Sequence, residues 1–272
     1  MQKPSLTQVT TDGVSFLTDE ALFARTGIRI AFSMRHGGVS KKPYESLNLG
    51  AYVDDDPFAV AINRVRFCNA TGLPADDACT RINSARQVHG THVEQAHDHL
   101  HEFPDTDALI TNKEDVPLLL CFADCVPIIL VEPSVRAVAV IHSGWRGTVQ
   151  EVARQAAETL MHTYEADPER MYAYIGPHIG LQNFTISNDV TRLFKERFGT
   201  IDSCDLQMHA DGSANLDLAA MVVRTLMRTG VRDCHIVHTR IDTVDAIQDF
   251  FSYRAENGIT GRHGALACVS SP

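Results

Sequence analysis

Apolar residues in this chain fall into two rhythms. Short apolar runs at residues 117–122 and 126–131, rich in Leu, Ile and Val, predict buried strands, and RAVAVI at 136–141 predicts another. Strands apolar at consecutive positions predict a sheet covered on both faces by helices. Residues 27–33, 107–111, 171–175, 234–238 and 265–269 predict further strands, and residues 1–26 a polar, peripheral segment with a strand or two on the rim. The second rhythm is helical. Asp56-Pro57 supplies an N-cap and a first-turn proline, Phe58, Ile62 and Val65 follow at helical spacing as a core-facing stripe, and Gly72 ends the helix. Another helix is predicted from Gly147 or Thr148 to about Met161, with Val149, Val152, Ala153, Ala156 and Leu160 on one face. Residues 188–198 and 216–227 complete the helical set, the latter stopped by Gly230.

Strands and helices are intermixed without repeats or a low-complexity linker. The predicted fold class is therefore α/β (α+β): a single domain, residues 1–272, with mixed β-sheets flanked by helices. Strict β-α-β alternation is missing, as are G-x-G-x-x-G and G-x-x-x-x-G-K-[ST] runs, which argues against a nucleotide-cofactor enzyme.

Charge and cysteine usage narrow the class. A net charge of −10 argues against a nucleic-acid binder. The N-terminus has no apolar signal region, and no run reaches the roughly 20 residues of a membrane helix, so no membrane partner is expected. Seven scattered cysteines (Cys68, Cys79, Cys121, Cys125, Cys204, Cys234 and Cys268) predict mostly buried, reduced thiols and a cytoplasmic protein.

Candidate chemistry concentrates between Leu118 and Thr148. Cys125 stands at the break between two buried strands and His142 at the end of a third, with His89 upstream in RQVHGTHV. Ends of buried strands are where open α/β sheets carry ligand sites. One thiolate and two imidazoles match a catalytic zinc set that keeps its fourth position open. The same residues also fit a metal-free nucleophile, Cys125, with His142 as base, or a core thiol beside two unrelated histidines. His97, His99 and His101 alternate in a polar stretch and are read as incidental, and Cys121 as core. Trp145 with Arg146 fits a flat wall beside an anion partner, and Arg254 and Arg262 are further anion partners. Arg35, Ser46 and Asn48 lie in a long glycine-punctuated loop, where ligand contacts concentrate.

The runs RHGGVSKKPYESLNLG, QVHG, CFADCVPIIL, AVIHSGWRGT, IGPHIG and FFSYR…TGR resemble the YfiH/laccase-domain family, in order, over about residues 30–265. The resemblance implies a single α/β domain related to the deamidating cysteine-hydrolase toxins and a zinc site at His89, Cys125 and His142, with copper as the alternative ion. It implies phosphorolysis of adenosine, inosine or methylthioadenosine, with adenosine deamination at the same site. Its partners would be a nucleoside and phosphate, with the chain a monomer or dimer. Arg35, Arg146 or Arg262 would then hold phosphate, and the zinc or Asp124 would face the base. Other readings the family suggests are hydrolysis of an incorrect amide in a peptidoglycan precursor and polyphenol oxidation. The chain departs from the family pattern at His178, at His238-Thr239-Arg240 and at Arg254-Ala255-Glu256, which is expected to alter the pocket rim.

Overall fold

Alternating residues of the central strands face two different cores, and this sets the layering. The computed structural model describes residues 3–73, 82–97 and 102–270. In chain order it begins with β1 (Thr7–Thr11), β2 (Val14–Thr18), α1 (Glu20–Thr26), β3 (Ile28–Ser33) and α2 (Pro57–Ala70). The short strands β4 (Ser84–Ala85), β5 (Val93–Gln95) and β6 (Glu102–Phe103) precede β7 (Ala108–Thr111). Then come β8 (Leu118–Phe122), β9 (Val126–Glu132), β10 (Ala137–Ser143), α3 (Trp145–Val149) and α4 (Val152–Tyr164). The remainder is β11 (Tyr172–Ile175), β12 (Thr185–Ile186), α5 (Asn188–Phe198), β13 (Leu206–Met208), β14 (Ala214–Leu216), α6 (Leu218–Arg228), β15 (Ile236–His238) and β16 (His263–Val269).

One sheet has the order β1-β2-β3-β16-β8 and a second the order β15-β11-β9-β10-β7-β5. The first is antiparallel throughout, whereas the second gains parallel pairs at β11/β15 and β5/β7. Ile128, Leu130, Ala139 and Ile141 of the six-stranded sheet pack with Val152, Leu160, Phe194 and Leu226 from the helices. Their strand neighbours Ile129, Val131, Val138 and Val140 point the other way, onto Ile30, Phe32, Leu118 and Leu120 of the five-stranded sheet. Phe67 and Cys68 of α2 cover that sheet's outer face with Ala31, Leu119 and Leu266. The layers therefore run helix, sheet, sheet, helices. The expectation that helices cover both faces of the doubly apolar strands is corrected on this point: a second sheet buries an apolar strand face as well as a helix does.

Three local differences have identifiable causes. The first concerns α2, where two of the three expected core residues face outward: Phe58 is 79% and Ile62 47% exposed, while Val65 packs partly buried against the core and Ala59, Val60, Asn63 and Phe67 are buried. Asn63 sets this rotation. Its amide donates to Ser40 Oγ (2.8 Å) and to the carbonyls of Ser46 (3.1 Å) and Asn48 (2.9 Å), and its Oδ1 accepts from the Val39 amide (2.8 Å). An amide with that many partners in the preceding loop has to face inward.

The second is the helix expected from Gly147 or Thr148, which breaks into α3 and α4. Glu151 adopts φ 60° there, and its carboxylate, 8% exposed, collects Arg154 (3.0 Å), Arg197 (3.2 Å) and Arg228 (3.8 Å). The third is the N-terminal segment, which is less peripheral than expected. Val14 and Phe16 are at most 2% exposed, and Asp19 caps α1 through Leu22 while accepting from Tyr174 Oη at 2.8 Å.

The thiols also differ from expectation, since Cys68 and Cys268 are buried but Cys204 and Cys234 are exposed, all without disulfides among the described residues. Cys79, His99 and His101 lie outside the described residues, and His97 is exposed. No helix among the described residues is long and apolar enough to cross a membrane.

Two stability outcomes follow. Phe67→Ala should cost about 3–5 kcal/mol, whereas Phe58→Ser and Ile62→Ser should each stay within about 0.5 kcal/mol of the parent, as read by urea unfolding. Acid lability is the second. Fully buried His263 packs between Phe122 (6.3 Å) and Phe250 (5.6 Å), and burial pushes its pKa down to about 3. Between that value and the ordinary 6.5, the unfolded chain takes a proton that the folded one refuses. Stability therefore rises with pH in this window and is lost as pH falls from 6.5 toward 3, by at most about 1.4 kcal/mol per pH unit per histidine. His263→Phe should flatten that slope by one histidine's share.

Candidate metal centre and cavity

The crossing between the two sheets places the thiol. β8 belongs to the five-stranded sheet and β9 to the six-stranded one, so residues 123–125 carry the chain from one layer to the other. Asp124 turns this corner at φ 87°. β10 pairs with β9 so that His142 lies opposite Pro127 and Ser143 opposite Val126. The end of β10 thereby comes beside the start of β9, and His142 beside Cys125.

His89 arrives by loop. It sits between β4 and β5 at φ 61°, and the backbone amides of Val88, His89 and Gly90 donate to the Asp107 carboxylate at 3.3, 3.0 and 2.6 Å. Asp107 itself is fully buried just ahead of β7. Its Oδ1 lies 2.7 Å from His142 Nδ1, and its carbonyl accepts the His142 amide at 2.7 Å. One carboxylate thus fixes the His89 loop and orients the His142 ring. With Nδ1 donating to Asp107, His142 presents Nε2 to Cys125 and His89.

The potential ligand atoms of His89, Cys125 and His142 all lie within 4.8 Å of one another, with Cys125 Sγ 3.9 Å from His89 Nδ1. Tetrahedral zinc with sulfur at about 2.3 Å and nitrogen at about 2.0–2.1 Å needs S–N separations of roughly 3.5 Å. The Cys125–His89 pair is a few tenths of an ångström wider than that, and the widest pair of the group, at up to 4.8 Å, would close by roughly 1 Å around a single ion. Gly144 leaves the space. A Cβ there would lie 2.5 Å from His89 Nδ1 and 3.2 Å from Cys125 Sγ. A carboxylate behind a ligating imidazole is the usual orienting arrangement at metal centres.

The electrostatics favour the ligating form of the thiol. Burial pushes the Cys125 thiol up, but the imidazoles of His142 and His89 outweigh burial and bring it down to about 6. Burial opposes protonation of His142, yet Cys125 and Asp107 together raise it to about 9. Burial likewise pushes the Asp107 carboxyl up, and His142 with the Gly90 and Val88 amides holds it below its ordinary value.

A cavity of ≈ 560 Å³ opens over this group. Of the residues singled out from sequence, it gathers His89, Asp124, Cys125, His142, Trp145, Arg146, Arg254 and Arg262. Four guanidinium groups line it, those of Arg64, Arg146, Arg254 and Arg262, in a chain with a net charge of −10. Arg262 is the most firmly built in. Its amide donates to Asn48 Oδ1 (2.8 Å), its Nη1 to the carbonyls of Thr260 (2.7 Å) and Gly261 (2.9 Å), and its stem rests where a Gly50 Cβ would be. Arg254 donates to the Asn183 carbonyl at 2.9 Å, and Arg146 lies 5.2 Å from the Trp145 ring.

Arg35 and Asn48 are outside the lining. Arg35 spends its donors on the carbonyls of Glu45, Ile247 and Phe250 and on Glu256. Asn48 bridges Gly50, Asp55 and the Arg262 amide. Both organise the loop instead of facing the cavity. The Asp124 carboxylate lines the cavity but is engaged by Thr243 Oγ1 (2.7 Å) and the Arg254 amide (2.6 Å). His178 and His238 stack on each other with centroids 5.0 Å apart and leave the rim to other residues.

Sequence reading missed Asp107, Arg64, Tyr52, Tyr253 and the role of Gln87. The Gln87 side-chain amide clamps the Cys121 backbone from both sides, at 2.8 and 2.9 Å. Asp107 left one trace in sequence, an acid directly ahead of the apolar Ala108, Leu109 and Ile110.

The family model described as multi-copper polyphenol oxidoreductase laccase matches residues 29–270. A purine nucleoside phosphorylase of Deinococcus radiodurans is 36% identical over 236 residues, covering 87% of each chain. Purine nucleoside phosphorylase YlmD of Geobacillus stearothermophilus is 32% identical over 245 residues, covering 87% of this chain and 88% of that one. The crystal structure of YlmD from Geobacillus stearothermophilus superposes with a TM-score of 0.90 at 30% identity, over 98% of this chain and 100% of that one. A Bacillus licheniformis protein, YfiH, shares the fold with a TM-score of 0.88 at 24% identity, over 96% and 97%. The chain belongs to this laccase-domain family.

Replacing the orienting carboxylate tests the metal reading. Asp107→Asn should weaken zinc binding by about 10–100-fold, measured by competition with a chromophoric chelator, without loss of the cooperative unfolding transition.

Proposed function

We propose that this laccase-domain chain is a zinc-dependent purine nucleoside phosphorylase acting on adenosine, inosine and methylthioadenosine. The observation that carries the reading is the meeting of a three-ligand metal group with four guanidinium groups in one cavity. His89, Cys125 and His142 would hold the ion, which when bound supplies Lewis acidity at its open position. Relatives named purine nucleoside phosphorylase at 32–36% identity support the substrate class.

In the reaction, a phosphate oxygen forms a bond to C1′ while the C1′–N9 bond breaks, its electron pair leaving with the purine. The proton carried by hydrogen phosphate ends on the purine, so that ribose 1-phosphate and the free base balance the two substrates. Arg262, held by Asn48 and two carbonyls, presents its remaining N–H groups to phosphate, and Arg146 and Arg254, which line the same cavity, add positive charge. Asp124 positions the Arg254 segment through its amide. Trp145, Phe184 and Tyr253 offer flat faces for the base. Adenosine deamination, in which water adds at C6 and ammonia leaves, would use the same open position.

Copper-dependent phenol oxidation has less support. The histidine–cysteine copper site of electron-transfer proteins adds a long axial thioether, and no methionine is among the cavity-lining residues. Among the described residues one cluster of three potential metal ligands is present, whereas multicopper oxidation needs several centres.

The zinc-loaded protein should convert adenosine and phosphate to adenine and ribose 1-phosphate. Cys125→Ala or a chelator should reduce the rate by about 100-fold or more, and Arg262→Gln should raise KM for phosphate roughly tenfold while leaving KM for adenosine near the parent's. Full phosphorolysis by a zinc-free Cys125→Ala protein would sink the proposal. So would release of an amino acid from a muramoyl-serine precursor with no turnover of adenosine.

A further inference from the structure

The reaction cavity has a neighbour. A second cavity of ≈ 370 Å³ opens beside it, and Ala51, Val53, Arg64 and Ser84 wall both spaces. Beyond this shared neck the walls are Pro57, Val60 and Ala61 of α2, with Ile82. Asp55 and Glu102 also line this space, and Arg64 at the neck is its one cationic side chain among the described lining residues. Asp55 is held by Ser40 Oγ at 2.6 Å and Asn48 Nδ2 at 2.8 Å.

The reaction cavity alone falls within the roughly 300–1,000 Å³ that takes a drug-sized ligand. A nucleoside and one phosphate ion therefore do not need the second space. Its wall chemistry says what would. Apolar side chains favour burying a hydrocarbon group, and two carboxylates disfavour an anion. We propose that the second cavity is a substituent subsite, which admits an uncharged, apolar extension of the nucleoside and discriminates against a phosphorylated one. The assignment rests on the phosphorylase reading for the reacting end of the substrate. The extension could be carried by the 5′ carbon or by the exocyclic nitrogen of the purine. Both present the same chemistry to Val60, Ala61 and Ile82.

The test compares adenosine, 5′-butylthio-5′-deoxyadenosine, N6-butyladenosine and adenosine 5′-monophosphate on the zinc-loaded parent and on Ala61→Phe, a position lining only the second cavity. The parent should use at least one butyl nucleoside as well as adenosine, and the monophosphate on the order of tenfold less well or worse. Ala61→Phe should lower kcat/KM for that butyl nucleoside about tenfold and leave adenosine within about twofold. Whichever butyl arm responds identifies the end of the nucleoside that enters. Ala61→Met, a flexible filler, should act in the same direction and guards against a folding defect in the phenylalanine variant. Equal losses on adenosine and the butyl nucleosides, no loss on either, or rejection of both butyl nucleosides by the parent would overturn the subsite. If the parent turns over no nucleoside at all, the phosphorylase reading fails separately. Calorimetric binding of the two butyl nucleosides then decides the subsite: about tenfold weaker binding to Ala61→Phe upholds it, and equal affinity refutes it.

Discussion

The site depends on one buried carboxylate. Asp107 has no solvent to lean on, so its charge is tolerable only because three consecutive amides and one imidazole surround it. The same contacts hold His89 and His142 in place. They join segments 18 and 35 residues away, and they tie a loop to the middle of a six-stranded sheet. Without that carboxylate the His89 loop would keep no fixed position relative to the strand ends, and three donors would not converge.

The carboxylate also explains why the centre can be legible in sequence as a list of ligands but not as a geometry. Cys125 and His142 announce themselves by standing at the ends of apolar runs, and both stand there in the structure. His89 entered as a candidate by residue type alone, because a loop histidine has no periodic signal, and the family resemblance adds its place in the motif. Asp107 escaped notice because all its partners are distant in the chain. A hydrogen bond to residue 142 leaves no local pattern at residue 107.

The fold was legible to a similar depth. Element types and most boundaries of the long strands and of α5 agree with the apolar rhythm. What the rhythm could not convey was which partner covers each face. A strand buried on both sides reads alike under a helix or under another sheet. The outward turn of Phe58 and Ile62 in α2 is a sharper lesson. Phe58 and Ile62 had the right spacing for a core, but Asn63 had more to lose from exposure, since its hydrogen-bond partners lie inward. Arg35 and Asn48 were chosen for their chemistry, and that chemistry is spent inside the protein. Asn48 still bears on the cavity indirectly, by holding the Arg262 backbone.

The missing side chain at Gly144 has a consequence for how such chains are compared. A single methyl group at that position would occupy the space between His89 and Cys125 while leaving every ligand residue in place. A descendant could thus lose the space in which the three donors converge yet still display the full histidine–cysteine–histidine signature. Counting ligands across a set of sequences would score that chain as competent. The informative column is the glycine, because it records whether the ligands are allowed to meet.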